Sequence, residues 1–141
     1  MSEEQSTTPD PVELNRRAIE AVGRRDFDAA MTSYGPESVW DTSALGLGTY
    51  RGVEVIRRSF EEWTAIYEDF AVEIEENLDL GSGVMLSVTR QRGRMAGSIG
   101  SVEFLYASVT EWANGLIERV TPYTDVDEAR ATAERLAEER G

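Results

Sequence analysis

The stretch SVWDTSALGLGTYRG, residues 38–52, decides how this chain folds. Its first three residues are typical of a short β-strand, which leads to one carboxylate, Asp41. A loop with glycines at positions 46 and 48 follows, and the sequence TYRG at 49–52 then precedes a long amphipathic segment. We therefore expect a strand, a loop and a helix start here, with two short helices before this stretch and a sheet after it.

Helix signals flank the stretch on both sides. Residues 10–13 form a capping box with proline at the first helical position, and Asp26 caps a second helix that the pair at 35–36, Gly-Pro, ends. Apolar residues at spacings of three and four predict one helix of about five turns from Val53 to Phe70. Asp125 begins another capping box, which predicts a short charged helix over 126–139.

Between residue 72 and residue 124 the pattern has the two-residue period of β-strands. Four strands are expected, within residues 72–78, 84–92, 102–112 and 117–124. Gly-Ser-Gly at 81–83 predicts the first turn. Asn-Gly at 114–115 predicts a tight hairpin, since this pair suits two-residue loops.

The order of these elements predicts an α+β domain: a cone-shaped, curved antiparallel sheet wrapped around three N-terminal helices, with a short C-terminal helix. We expect residues 1–9 to be a disordered lead, residues 10–125 the cone domain, and residues 126–141 the C-terminal helix and tail. The open end of such a cone is the natural place for a ligand.

Composition narrows the chemistry. The 141 residues suit one domain, and they include no Cys, His or Lys, which excludes thiol, imidazole and Schiff-base catalysis. The net charge of −13 opposes binding to nucleic acid and anionic lipid. No run is apolar enough to span a membrane, and the acidic start is unlike a signal peptide, so we expect a cytoplasmic protein.

Several short motifs resemble, in their order and spacing, the nuclear transport factor 2-like superfamily, specifically its SnoaL-like branch. They are RDFDAA at 25–30, VWD at 39–41, GTYRG at 48–52, NG at 114–115 and YTD at 123–125. The resemblance covers residues 11–125. It implies a cone that encloses an apolar pocket, and a homodimer formed through the sheet. Members include steroid isomerases, polyketide cyclases and epoxide hydrolases.

The catalytic sets of these relatives are incomplete here. Asp41 resembles the base of the ketosteroid isomerases, but their two oxyanion donors fall at Ala18 and at Ala107 or Ser108. The histidine and aspartate of the cyclases have no counterpart on the last two strands. Arg90 matches the arginine of the epoxide hydrolases, whereas their two carboxylates are replaced. The chain resembles the scaffold more than any one enzyme built on it.

Asp41 and Arg90 are the candidate catalytic residues. Asp41 would act as general base or acid if an apolar cavity raised its pKa; alternatively, it caps the turn at residues 42–43. Arg90 shares a strand face with Val84, Leu86 and Val88. If this face lines the cone, Arg90 meets Asp41 or an anionic ligand; otherwise it lies in solvent at a strand end.

Four aromatic residues are the candidate ligand-binding residues: Trp40, Trp63, Tyr106 and Tyr123. Aromatic side chains usually fill cores, but in a cone the cavity wall is also the inner surface of the core. No acidic residues cluster at metal-ligand spacing, so we expect no metal site and no organic cofactor.

These observations favour binding, and possible metal-free transformation, of a small hydrophobic molecule that bears a carbonyl or hydroxyl group. The chemistry would be of isomerase, cyclase or hydratase type. The alternative is a non-catalytic ligand-binding or protein-interaction module on the same fold. Expected partners are the small ligand and a second copy of the chain, without nucleic acid or membrane.

Overall fold

A computed structural model describes residues 10–141, so the predicted disordered lead at 1–9 lies outside the described residues. The described chain forms four α-helices, one turn of 3₁₀-helix and six strands. In chain order these are α1 (Pro11–Gly23), α2 (Phe27–Met31), β1 (Tyr34–Asp41), the 3₁₀ turn (Ser43–Leu45), β2 (Thr49–Arg51), α3 (Val53–Ala65), β3 (Tyr67–Asp79), β4 (Val84–Met95), β5 (Ser101–Ala113), β6 (Leu116–Tyr123) and α4 (Val126–Arg140).

The six strands form one curved, open sheet in the order β2-β1-β6-β5-β4-β3. Four neighbouring pairs are antiparallel, but β1 and β6 are parallel, with Trp40 opposite Val120. The prediction of a fully antiparallel sheet is therefore wrong, and the sheet is mixed. The parallel pair brings together the first and last strands, which only a long crossover through the rest of the domain allows.

Three predicted helix starts are confirmed. The carboxylates of Asp10, Asp26 and Asp125 accept backbone N–H bonds from the residues three positions on, at 2.9, 3.2 and 3.1 Å. The predicted hairpin is also confirmed, because Asn114 and Gly115 both adopt positive φ, of 55° and 79°. That conformation belongs to the two-residue turn between antiparallel strands.

The helix after Gly52 is shorter than its apolar pattern predicts. It ends at Ala65, and Tyr67 and Phe70 belong to strand β3, which pairs with β4 from its first residue. The spacing of Tyr67 and Phe70 fits a helix, but hydrogen bonds to β4 satisfy the backbone N–H and C=O groups of the whole segment. The segment therefore forms a strand. Similarly, β1 begins at Tyr34, so residues 35–36 lie in an irregular part of the strand rather than ending a helix.

The sheet is covered on both faces. Helices α1 and α3 pack on the inner face, and α4 packs on the outer face. Ala129 and Ala133 of α4 are fully buried against an apolar cluster on β4 and β5, whose members are Val84, Leu86, Val88, Ala107 and Val109. Helix α4 confirms the C-terminal helix predicted over 126–139 to within one residue, and with 15 residues it is the longest helix of the described chain. No helix among residues 10–141 is long and apolar enough to cross a membrane.

Candidate functional site

A cavity of about 450 Å³ lies between the inner face of the sheet and helices α1 and α3. This volume is in the range of small-molecule sites in proteins. Strand alternation decides which residues reach the cavity, because successive side chains point to opposite faces of a sheet. On β4, Ser87, Thr89 and Gln91 line the cavity, while Leu86 and Val88 face α4.

One wall of the cavity is aromatic. Trp40 lies at its centre, with ring centroids 4.6 Å from Phe60, 5.5 Å from Tyr50 and 6.3 Å from Trp63. Tyr34 meets the edge of Phe60 at 6.0 Å. Edge-to-face and tilted contacts at these distances are favourable, so the rings form a pre-organised apolar surface.

A second part of the lining, on β4 and β5, carries hydroxyl groups and is called the hydroxyl wall. Ser87 on β4 lies directly across from Ser108 on β5, with Thr89 and Thr110 on the same face. None of these hydroxyls forms a hydrogen bond with another of the described residues, and none is a buried, unpartnered group. The hydroxyls are therefore open to the cavity, where they can donate or accept.

Two tyrosines add hydroxyl groups that stay protonated. Burial raises the pKa of Tyr34 well above its usual value. Burial also raises the pKa of Tyr106, and the neighbouring Tyr67 raises it further. Because a protonated phenol is a hydrogen-bond donor at neutral pH, both residues can donate to an oxygen atom in the cavity.

Formal charge is nearly absent from the cavity. Among the described lining residues the only carboxylic acid is Glu62 of α3, which is exposed, and no arginine contributes to the lining. No group of three or more carboxylates among residues 10–141 is placed to hold a metal ion.

The structure places Asp41 outside the cavity lining. Alternation along β1 points Trp40 inward and Asp41 away, toward Arg119 of the adjacent strand β6, whose Nη1 lies 2.6 Å from the carboxylate. The Ser43 hydroxyl and backbone N–H also donate to Asp41, at 2.5 and 3.0 Å. The hydrogen bond from the Ser43 hydroxyl is the largest influence that lowers the pKa of Asp41, and the Arg119 guanidinium lowers it further.

Arg90 and Tyr123 also lie away from the cavity. Arg90 shares its strand face with Val84, Leu86 and Val88 as predicted, but this face is the outer one. There its guanidinium binds Glu75 at 2.6 Å and Glu103 at 3.3 Å. The hydrogen bond that Arg90 donates to Glu75 raises the pKa of Arg90.

Tyr123 packs beside α4 against the apolar cluster of the outer face. The other three candidate ligand-binding residues, Trp40, Trp63 and Tyr106, all line the cavity. The two predicted catalytic residues therefore lie outside the cavity that these three aromatic residues line.

Sequence reasoning missed the hydroxyl wall and Asn15, a buried amide of α1 that also lines the cavity. A polar residue at every second position of a strand normally indicates a solvent-exposed face, so the pattern at Ser87 and Thr89 does not by itself mark them as cavity residues. One feature of α4 indicates instead that the apolar face of the sheet is the covered outer one: Ala129 and Ala133 require an apolar sheet face to pack against.

Comparisons with known proteins agree with this architecture. The family model of the SnoaL-like domain matches residues 15–120. A hypothetical protein with a ketosteroid isomerase-like fold from Catenulispora acidiphila, crystallised with trimethylamine, is 17% identical, with TM-score 0.70 over 79% of this chain and 84% of that one. A comparison with curated protein sequences found no match.

Two further solved structures have names that state a reaction. An LEH-like epoxide hydrolase of M. tuberculosis is 18% identical, with TM-score 0.68 over 89% of this chain and 90% of that one. A putative SnoaL-like polyketide cyclase of Shewanella denitrificans is 14% identical, with TM-score 0.71 over 92% and 99% of the two chains. At these identities the likeness shows the fold alone. Together with the family match, it establishes that this chain belongs to the SnoaL-like domain family and has its nuclear transport factor 2-like, ketosteroid isomerase-like fold.

Proposed function

We propose that this chain binds a small, neutral, mostly apolar molecule that carries a carbonyl or hydroxyl group. One observation carries the proposal: the cavity has an aromatic wall centred on Trp40, a hydroxyl wall centred on Ser87 and Ser108, and one exposed charged residue, Glu62, in its described lining.

The lack of charge in the lining favours a neutral ligand. A charged group that enters an apolar cavity loses its hydration, and this loss is offset only where an opposite charge or several hydrogen bonds replace the water. The aromatic wall gains free energy from burying apolar ligand surface. The hydroxyl wall favours an oxygen atom on the part of the ligand that faces it, since a polar group left there without a hydrogen bond would cost free energy.

Metal-free acid–base chemistry of isomerase, cyclase or hydratase type is the second candidate function. It is favoured by the protonated hydroxyl of Tyr106 and by the carboxylate of Glu62, which both line the cavity. The catalytic roles of Asp41 and Arg90 stay predictions, and neither residue lines the cavity in this structure. Two of the structural neighbours are named an epoxide hydrolase and a putative polyketide cyclase.

Binding is tested first with Nile red, an uncharged dye whose fluorescence rises in apolar surroundings. Wild-type protein is titrated beside Ser108→Phe, which fills the cavity from the hydroxyl wall, and Arg90→Gln, which changes a side chain on the opposite sheet face. We expect saturable binding to wild type and Arg90→Gln, and at least a tenfold weaker affinity for Ser108→Phe.

Other outcomes would contradict the proposal or extend it. Equal binding to all three proteins would place the dye outside the cavity and contradict the proposal. A large loss in Arg90→Gln would instead support the sequence-based role of Arg90. Turnover of a carbonyl or epoxide substrate that disappears in Glu62→Gln would support the second candidate function. A ligand that binds without turnover would support a non-catalytic module.

The homodimer through the sheet stays a prediction. Helix α4 covers the apolar cluster of the outer face, and Arg90, Arg92 and Glu103 form ion pairs elsewhere on that face. Sedimentation equilibrium with and without 1 M salt tests it. A dimer that dissociates in salt would indicate that this charged face is the interface, since salt screens exposed ion pairs.

A further inference from the structure

Asn15 is a polar residue within the apolar face of α1, and it is 2% exposed. A buried amide costs free energy unless its groups are hydrogen-bonded. Two bonds hold it. The indole Nε1 of Trp112 donates to Asn15 Oδ1 at 3.1 Å, and Asn15 Nδ2 donates to Asn77 Oδ1 at 2.9 Å.

These partners fix which way the amide points. An indole N–H can only donate, so the oxygen of Asn15 must face Trp112 and its nitrogen must face the other way. The nitrogen of Asn77 donates to the carbonyl oxygen of Val12 at 2.9 Å, so the oxygen of Asn77 faces Asn15. The indole N–H of Trp112 can only donate, and the carbonyl oxygen of Val12 can only accept. These two groups therefore fix the donor and acceptor roles of both amides.

One N–H group of Asn15 is left over. Its amide nitrogen carries two N–H groups, and Asn77 accepts one of them. No other acceptor among residues 10–141 forms a hydrogen bond with this nitrogen. Since Asn15 lines the cavity, the second N–H is available to a molecule that occupies it.

The surroundings of this N–H define what it would bind. Strand register places Asn77, Ser87 and Ser108 side by side on β3, β4 and β5, beneath Asn15. The two serine hydroxyls can donate or accept, whereas the amide N–H can only donate. No charged residue of the described lining comes from α1 or the sheet, so the matching ligand group is a neutral acceptor.

We propose that Asn15 is a ligand-binding residue whose free N–H donates to a carbonyl oxygen of the ligand, and that Trp112 is the positioning residue that holds the amide in this direction. The inference rests on the proposed function and deepens it: it names the ligand class, neutral ketones and related carbonyl compounds, and the end of the cavity where the oxygen lies.

The test compares 9-fluorenone and fluorene, two neutral three-ring molecules that differ in one carbonyl group. Affinities for both are measured by isothermal titration with wild type, Asn15→Leu, Ser108→Ala, which removes the neighbouring hydroxyl group, and the outer-face control Glu103→Gln. We expect Asn15→Leu to reduce the preference for fluorenone over fluorene about 5- to 10-fold, the range for loss of one hydrogen bond, with fluorene affinity nearly unchanged. Glu103→Gln should retain the full preference, and Ser108→Ala should lose less of it than Asn15→Leu.

A second readout does not depend on the stability of Asn15→Leu. The infrared carbonyl band of fluorenone bound to wild type should lie at the lower wavenumber of a hydrogen-bonded ketone. Trp112→Phe keeps Asn15 but removes the indole donor, so the amide is free to turn. The band should then shift back toward its position in an apolar solvent, and the preference for fluorenone should fall.

The outcomes separate this inference from the proposed function. Binding of both probes with the same preference in wild type, Asn15→Leu and Trp112→Phe would overturn the role of Asn15 and leave the proposed function standing. Binding of neither probe to wild type would overturn the proposed function, and the role of Asn15 with it. A preference lost only in Ser108→Ala would assign the donor to the serine instead.

Discussion

Replacing Asp41 by alanine tests whether this residue is a structural anchor or a buried acid. Its carboxylate accepts from the Ser43 backbone and hydroxyl at 3.0 and 2.5 Å, from the Thr49 hydroxyl at 3.3 Å, and from Arg119 at 2.6 Å. The Asp41 side chain is 19% exposed and that of Arg119 is 41% exposed. The carboxylate thus ties the 3₁₀ turn after β1 to β2 and β6.

The expected loss of stability follows from these contacts. Hydrogen bonds to a charged group are worth about 1.5–3 kcal/mol, and a half-exposed ion pair adds about 0–1 kcal/mol. We expect Asp41→Ala to lower the free energy of unfolding by about 2–3 kcal/mol at pH 7. Asp41→Asn keeps an acceptor oxygen for Ser43 but loses the charge, so it should cost about 1 kcal/mol. Urea unfolding measures both values.

The pH dependence of stability tests whether the folded state lowers or raises the pKa of Asp41. Because the folded state lowers the pKa of Asp41, its contribution is fully present above the unfolded-state value of about 3.9 and is lost as pH falls through the lowered pKa. The stability difference between wild type and Asp41→Asn should therefore shrink below about pH 4. If Asp41→Asn were instead more stable than wild type at pH 7, Asp41 would be a desolvated acid with a raised pKa, and our assignment would be refuted.

Three further predictions concern the frame of the site. Gly83 and Gly115 both have positive φ, of 82° and 79°, but a Cβ at Gly83 would also overlap a carbonyl oxygen of β5. Gly83→Ala should therefore lower the urea midpoint clearly more than Gly115→Ala, and equal effects would contradict the overlap. Ala133→Glu buries a charge between α4 and the sheet and should lower the free energy of unfolding by about 3 kcal/mol or more. The same change at the exposed position, Ala131→Glu, should lower it by about 0.5 kcal/mol. Thermal unfolding measures both values. Arg90→Gln should leave Nile red affinity within about twofold, and a tenfold loss would place Arg90 in the site.

The fold was predictable where local chemistry decides it. The helix caps at Asp10, Asp26 and Asp125 and the turn at 114–115 depend on residues within a few positions of one another, so the sequence displays them directly. The parallel pairing of β1 with β6 joins segments almost 80 residues apart, as the bond between Asp41 and Arg119 shows. No local pattern reports that pairing.

The site was harder to predict because its residues depend on which face of the sheet lines the cavity. The alternation of Ser87, Val88 and Thr89 is the same whether the valine or the hydroxyl residues face the cavity. Helix α4 settles the choice by burying Val88, but its sequence is charged and suggests a solvent-exposed tail. One reversed face removes Arg90 from the cavity and brings in the hydroxyl wall.

The central claim is that the cavity of the inner face is where a neutral ligand binds. The most direct test is a ¹H–¹⁵N NMR titration of wild-type protein with 9-fluorenone. Asp41→Asn, which is altered outside the cavity lining, is titrated in parallel as a control. We expect the indole signals of Trp40 and Trp63 and the amide of Ser108 to shift together and saturate, while the amide of Glu103 on the outer face stays in place. Shifts confined to the outer face, or no saturable shift, would contradict the claim.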